Sequence, residues 1–345
     1  MQYFIEFGSI GDFSKISKSI AHESKNQNNI SLSYPVLDAI GAEKIHGTNF
    51  SVCYNLHDGI WFQKKTEIIN LKMDNAGSAF FGLTHSDILI KLIKSLATEY
   101  KIDLNTNSIA LFGEWAGNGV ISKSAVSGLD KQFYLFQHFK VSPINEEKRL
   151  KETYWEETKV NNVWIESKED KIYNLMNFKT YKLTIDFNNP SLYQNKMIEL
   201  VNELEKNSPV GQELGINNNI GEGIVFTVKF KNHVLKWKVK GTKHSNSHVK
   251  TLKQVDNVKE QLKIDIAAKV TPAWRLEQMF EEANDCMNGG IASVKNMSVF
   301  LRKVIADVIK EDIDLLVDNN LELKDVDSKI AKISRNWYLE QINEN

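Results

Sequence analysis

The sequence predicts an α+β fold, with a mixed domain over residues 1–250 and a small all-helical domain over 251–345. Three observations carry this reading. Short segments of alternating hydrophobicity crowd the first part of the chain. Four of the five prolines fall there, and none follows Pro272. Past about residue 250, apolar residues recur at helical spacing instead. A chain of 345 residues is long for one domain and comfortable for two.

Taken in order, the strands are "TNFSVCYN", "GIWFQKKTEII", "SIALFGEWAG", "QFYLFQHFK", "EGIVFTVKF" and "HVLKWKVKG". Each is rich in β-branched and aromatic residues. Among them lies a helix opening at Ser86 as its N-cap, with Leu89, Leu92, Ile93 and Leu96 on one face. The joint near "GTKHSNSHVK" has the Ser, Asn, His and Lys content of a linker. After it come "QLKIDIAAKV", "AWRLEQMFEEAND" and "SVFLRKVIADVIKEDIDLLV", the last with Leu301, Val304, Ile305 and Val308 in one stripe. "MNGGIAS" reads as a loop before a helix. No internal repeat or low-complexity tract is present.

Composition narrows the function. Hydrophobic residues make up 42% and charged residues 25%, as in ordinary globular proteins. The formal net charge of -1 excludes a global basic field, so a polyanion site must be a local cluster of Lys and Arg. Cys53 and Cys286 lack metal-ligand spacing, which points to free thiols and a cytoplasmic or other reducing compartment. Cys53 is expected to be buried on its strand. The start lacks the features of a signal peptide, and no apolar run reaches membrane-spanning length. There is no Walker A loop, no GxGxxG after a strand, no GxSxG elbow and no HExxH. His233, His244 and His248 cluster, but without ligand spacing.

The stretch "EKIHGTNFSV" sets a lysine three residues before a glycine, directly ahead of a strand. Lysine becomes a nucleophile when neighbouring positive charge lowers its pKa, and glycine admits close approach of a ligand. A bare KxxG is more often an exposed lysine before a turn. Four later segments change that balance by their order. "FGEWAG" puts Glu114 among glycines, "FYLFQHF" is an aromatic strand, and "EGIVFT" joins Glu222 to Gly223. "LKWKVKG" then sets Lys236, Lys238 and Lys240 on one strand face. Taken singly, each is more often structural; lysines, for instance, commonly protect edge strands.

In this order the segments resemble the covalent nucleotidyltransferase superfamily of ligases and mRNA capping enzymes. "EKIHGTNFS", with His46 before Gly47, is similar to the phage-type RNA ligase 2 family, which includes the RNA-editing ligases. The resemblance covers residues 40 to about 243 well and the helical tail more loosely. It implies an ATP-grasp-like antiparallel sheet and an ATP-dependent ligase joining 3′-OH and 5′-phosphate RNA ends, chiefly at duplex nicks. It also implies Mg²⁺ (or Mn²⁺), RNA as partner, no membrane and a monomer.

By the same resemblance, Lys44 would form the lysyl-AMP. Ile45, His46, Gly47, Thr48 and Asn49 would build the nucleotide pocket, with Asn49 also at the nick. Glu43 would meet the adenine edge through its main chain, Glu114 the ribose and Phe136 the adenine face. Glu222 would serve the metal, and Lys238 and Lys240 the phosphates. Lys65 stands where the family has arginine, keeping the charge but losing the bidentate fork. Gln137 stands where the family has aspartate. In the tail, Arg275, Asp307 and Glu311 match residues used on RNA, although Asp307 and Glu311 also fit a solvated acidic helix face. Capping enzymes and DNA ligases carry an OB-fold after the core, and the helical tail argues against them. The retained Lys44, Glu114, Glu222, Lys238 and Lys240 argue against a relative that only binds RNA.

Overall fold

A computed structural model describes residues 2–24, 33–121, 125–216, 219–241, 252–285 and 293–343. The joint at 242–250, with His244 and His248, lies outside the described residues, as do Cys286 and 287–292 of "MNGGIAS". The chain is α+β and falls into two compact units. One comprises Met1–Ile16, Leu37–Ile185 and Lys196–Leu252, and the other Ser17–Val36, Asp186–Asn195 and Lys253–Asn345. Among the described residues, no helix is long and apolar enough to cross a membrane.

The strands begin with β1 (Val36–Glu43), β2 (Thr48–Asn55), β3 (Gly59–Gln63), β4 (Ile68–Ile69), β5 (Asn107–Ala116), β6 (Gln132–Leu135) and β7 (His138–Pro143). They continue with β8 (Tyr154–Glu157), β9 (Lys159–Val160), β10 (Val163–Trp164), β11 (Ile172–Asn174), β12 (Tyr181–Asp186), β13 (Gly223–Phe230) and β14 (His233–Lys240). One sheet runs β12-β1-β13-β14. A larger one runs β11-β6-β5-β2-β3-β4, with β7 beside β5 and β8 beside β7. Pairing is antiparallel along β1·β13·β14 and β3·β2·β5, whereas β11 runs parallel to β6.

β2 and β5 are buried on both faces because both faces are covered. Alternation sends Phe50 and Val52 to one face, where they join Leu89, Ile93 and Leu96 of the helix Ser86–Glu99. It sends Cys53 to the other, where Ile5 and Phe7 of the N-terminal segment pack with Trp61, Ala110 and Phe112. Burial pushes the Cys53 thiol well up, so it is inert packing.

The structure departs from the sequence reading in four places. Ser86 is the first helical residue and not the cap, because the helix Ser78–Thr84 runs into it through His85. "GIWFQKKTEII" is a hairpin, β3 and β4, closed by Lys64 N–H donating to the Glu67 carbonyl at 2.9 Å. "QFYLFQHFK" breaks at Phe136 and Gln137, since β6 and β7 pair with different halves of β5. β1 was not anticipated. Its "VLDAIGAE" alternates weakly, and pairing on both sides makes it a strand.

In the second unit the helices Asn257–Lys269, Ala273–Asp285, Met297–Asp318 and Leu323–Asn343 share a core of Phe300, Val304, Val308, Leu316, Ile330 and Tyr338. Leu301 and Ile305 pack at its margin. Arg275 is only 2% exposed. Its Nε lies 2.7 Å from Asp307 Oδ2 and its Nη1 lies 2.6 Å from Asp312 Oδ2, and it also donates to the Val270 carbonyl. Removing one partner of such a set strands buried charge. Arg275→Ala is expected to cost about 3–5 kcal/mol, read from denaturant unfolding of the full chain by far-ultraviolet ellipticity. A loss below about 1 kcal/mol, the scale of an exposed pair, would show that the set is not structural.

Candidate active site

A cleft opens between the two sheets of the first unit, with a cavity volume of about 70 Å³. One wall is built in rows by strand register. Ile40, Thr227 and Lys236 lie side by side, then Ala42, Val225 and Lys238, then Gly223 beside Lys240. The last row meets Lys44, whose backbone N–H donates to the Gly223 carbonyl at 2.8 Å. The opposite wall carries Glu114 at the end of β5, then Phe136, Gln137 and His138 at the break between β6 and β7, with Leu175 and Met176. Phe7 and Ile10 come from the N-terminal segment.

Beside the cleft, on the side of Lys44, a charged cluster centres on Glu222, which is 2% exposed. Its Oε2 lies 2.6 Å from Lys44 Nζ and 3.2 Å from His46 Nδ1, and its Oε1 lies 2.6 Å from Lys240 Nζ. Burial alone would raise the pKa of this carboxyl. The His46 hydrogen bond, the Lys44 charge and the Lys240 hydrogen bond outweigh burial and hold it well below the carboxylate range. Lys238 is shifted down by partial burial and then by Lys240, Lys44 and Lys65.

Two glycines permit this crowding. A Cβ on Gly47 would meet the Trp115 carbonyl, the Ala116 methyl at 2.8 Å and Glu114 Cγ at 2.9 Å. Gly223 has φ of +153° and faces the Val239 carbonyl and Lys240 Cα, so a side chain there is strained and blocked.

The other predicted residues fall around this centre. Glu114 is pushed up to about 7, chiefly by burial, against the pull of Lys44. Glu43 lines the cleft, but its carboxylate accepts from Ser208 Oγ at 2.6 Å and from Val210 N–H at 3.0 Å. Burial raises that carboxyl to about 7. Ile45 is buried with Ala116, Tyr134 and Val210. Thr48 Oγ1 accepts from Asn75 Nδ2 at 2.7 Å, and Asn49 Nδ2 reaches the Gly113 carbonyl at 3.5 Å. The Phe136 ring stands 5.2 Å from that of Phe7. Lys65 is exposed. Arg275, Asp307 and Glu311 belong to the second unit. There Glu311, on an open helix face, pairs with Lys310 at 2.6 Å.

Sequence reasoning missed Ser208, Asn75, Phe7 and His138, which contact the site across long sequence separations. Of these, only His138 lay in a segment the sequence singled out, "FYLFQHF", which was read there as one unbroken strand.

Among the described residues no group of three or more His, Cys, Asp or Glu gathers to hold a metal. An ion in this site would have to draw on Glu222 or Glu114 and otherwise on substrate oxygens and water. That donor set fits Mg²⁺, which keeps several waters and binds few carboxylates.

The chain resembles three solved structures of a Naegleria gruberi RNA ligase. One, with PPi, is 15% identical, covers 72% of this chain and 59% of that one, and has a TM-score of 0.39. A lysine-to-methionine variant with AMP and Mn is 14% identical, with coverages of 71% and 58% and a TM-score of 0.39. A lysine-to-alanine variant with ATP and Mn is also 14% identical, with coverages of 69% and 57% and a TM-score of 0.38. The chain thus spans at most 59% of the length of these three proteins. No protein of curated function matches it. The RNA ligase family model matches residues 38–238, more than half of the chain, including Lys44, Glu114, Glu222 and Lys238. This chain therefore belongs to the RNA ligase family.

Proposed function

We propose that the chain is an ATP-dependent RNA ligase that seals 3′-OH/5′-phosphate nicks in duplex RNA through a lysyl-AMP on Lys44. The observation that carries this is the placement of Lys44 Nζ, 2.6 Å from a buried carboxylate at the mouth of a cleft, with Lys240 on the same carboxylate. A carboxylate gripping two lysines keeps both ordered and gives one up when a more highly charged anion arrives.

Lys44 attacks the α-phosphate of ATP. The nitrogen–phosphorus bond forms, the bond to the β-phosphate oxygen breaks, and pyrophosphate leaves. Glu222 Oε2 is the nearest acceptor to the nucleophilic nitrogen and fixes its direction. Lys240, Lys238 and Lys65 compensate phosphate charge, Glu114 takes the ribose hydroxyls, and Phe136 and Val225 flank the base. When bound beside Glu222, Mg²⁺ or Mn²⁺ supplies charge neutralisation at the phosphates. AMP then passes to the RNA 5′-phosphate, and the 3′-hydroxyl displaces it. In this reading residues 1–250 act as the adenylyltransferase domain and the helical domain 251–345 engages RNA through the open Glu311, while buried Arg275 and its partner Asp307 hold the helices together. The protein works as a monomer in a reducing compartment.

Lys44→Ala is expected to abolish label transfer from α-labelled ATP to the protein while the chain still folds, with a melting temperature lowered by the loss of one of the three partners of Glu222. A labelled adduct in that variant, after pyrophosphate has stripped any resident AMP, would remove Lys44 as nucleophile. Label from GTP alone would instead mark a capping-type activity.

Glu311 is open, pairs with Lys310 and feels the more distant charge of Arg275, so Glu311→Ala tests the tail without removing a buried side chain. Self-adenylylation is expected to persist while sealing of nicked duplex RNA falls several-fold. Unchanged sealing would take Glu311 out of the RNA-contacting set.

A further inference from the structure

The inner end of the cleft holds two polar side chains that the reaction above does not use. Lys236 is 7% exposed and His138 is 4% exposed, and both line the cleft. His138 Nδ1 is buried and has no hydrogen-bond partner. Lys236 Nζ has neither a hydrogen-bonded nor a carboxylate partner among the described residues. It lies 3.7 Å from the centre of the Trp155 ring and 4.6 Å from that of Phe7. The charges that face this pair are also basic: Lys140 acts on Lys236, and Lys229 and Lys159 act on His138. Burial, more than these neighbours, pushes Lys236 down to about 7 and His138 down to about 3.

A position that serves packing alone would be better filled by leucine or methionine. A lysine buried against ring faces with no carboxylate beside it is costly, and the unsatisfied His138 Nδ1 on a residue lining the cleft calls for a ligand. Strand register says which part of the ligand reaches them. Lys236 precedes Lys240 by four residues on the same face of β14, which places it about 13 Å from the phosphate-binding end. Between the two ends the lining includes the apolar Phe136, Val225, Ala42 and Ile40. Such a lining suits a base, with hydrogen-bonding groups at its far edge.

We infer that Lys236 and His138 are specificity-determining residues that read ring-nitrogen acceptors of the purine, with Lys236 Nζ donating the principal hydrogen bond. The inference rests on the nucleotide-binding reading of the cleft. It predicts that base selection comes partly from a residue beyond the adenylylation motif, on the strand that also carries Lys238 and Lys240.

The test is calorimetric titration of the full chain, stripped of AMP and kept free of divalent metal. The ligands are ATP and its 1-deaza, 3-deaza and 7-deaza analogues. The parent chain is expected to bind one analogue roughly ten- to a hundredfold more weakly than ATP. Lys236→Met should bind ATP and that analogue alike, and should melt no lower than the parent. His138→Leu should narrow the same gap. Equal binding of all four ligands by the parent overturns the inference, as does full discrimination in Lys236→Met. A Lys236→Met protein that melts lower but discriminates normally shows a packing lysine and also overturns it. ATP binding with any of these results leaves the ligase reading standing, whereas absence of ATP binding by the parent sinks both.

Discussion

The site depends on one constraint: a carboxylate buried at Glu222 must be compensated. Lys44, His46 and Lys240 do so, and they reach it from just past the end of β1, just before the start of β2 and the end of β14. The ion cluster therefore pins the corner where the two sheets approach each other within the first unit. Buried ion pairs contribute little net stability compared with apolar residues, because desolvation offsets attraction. The cluster is better understood as an ordering device. It sets the direction of the Lys44 side chain before any nucleotide arrives.

That geometry requires backbone to come closer than side chains allow, which ties the glycines to the chemistry. Gly47 lets β2 lie against Trp115 and Glu114, and Gly223 lets β13 lie against Lys240. The rows on the sheet wall follow from pairing alone. Once Gly223 is opposite Lys240, Val225 must be opposite Lys238 and Thr227 opposite Lys236. The charged, apolar and inner zones of the cleft are thus three consecutive steps along one ladder. A slip of one residue would turn all three lysines to the other face.

The sequence made some of this legible and hid the rest for identifiable reasons. Strands with strong alternation, such as Thr48–Asn55, were readable because one period fits them. Three tail helices were readable for the same reason, Ala273–Asp285 among them, whereas Leu323–Asn343 was not read. Lys44, Glu114, Glu222, Lys238 and Lys240 were readable through the order of short motifs, each weak alone. β1 was not, since its pairing on both sides, and not its own pattern, makes it a strand. The bond from Ser208 to Glu43 spans 165 residues, and no local signal encodes it. Lys236 looked like one more lysine in a basic strand. Its burial under Trp155 is a tertiary fact.

Charge balance separates the two acid–base clusters. Around Glu222 and Glu114, two carboxylates face Lys44, Lys65, Lys238 and Lys240, and burial pushes Glu114 toward its neutral form. The surplus is positive and partly exposed, which suits a polyphosphate despite a chain charge of -1. Around Arg275 the balance is reversed: one guanidinium meets Asp307 and Asp312 and is buried. A phosphate could take Arg275 only by displacing a carboxylate from it, at a cost of the order of a broken buried pair. The positive surplus that an anionic substrate meets in the first unit thus comes from lysines that the fold leaves under-compensated.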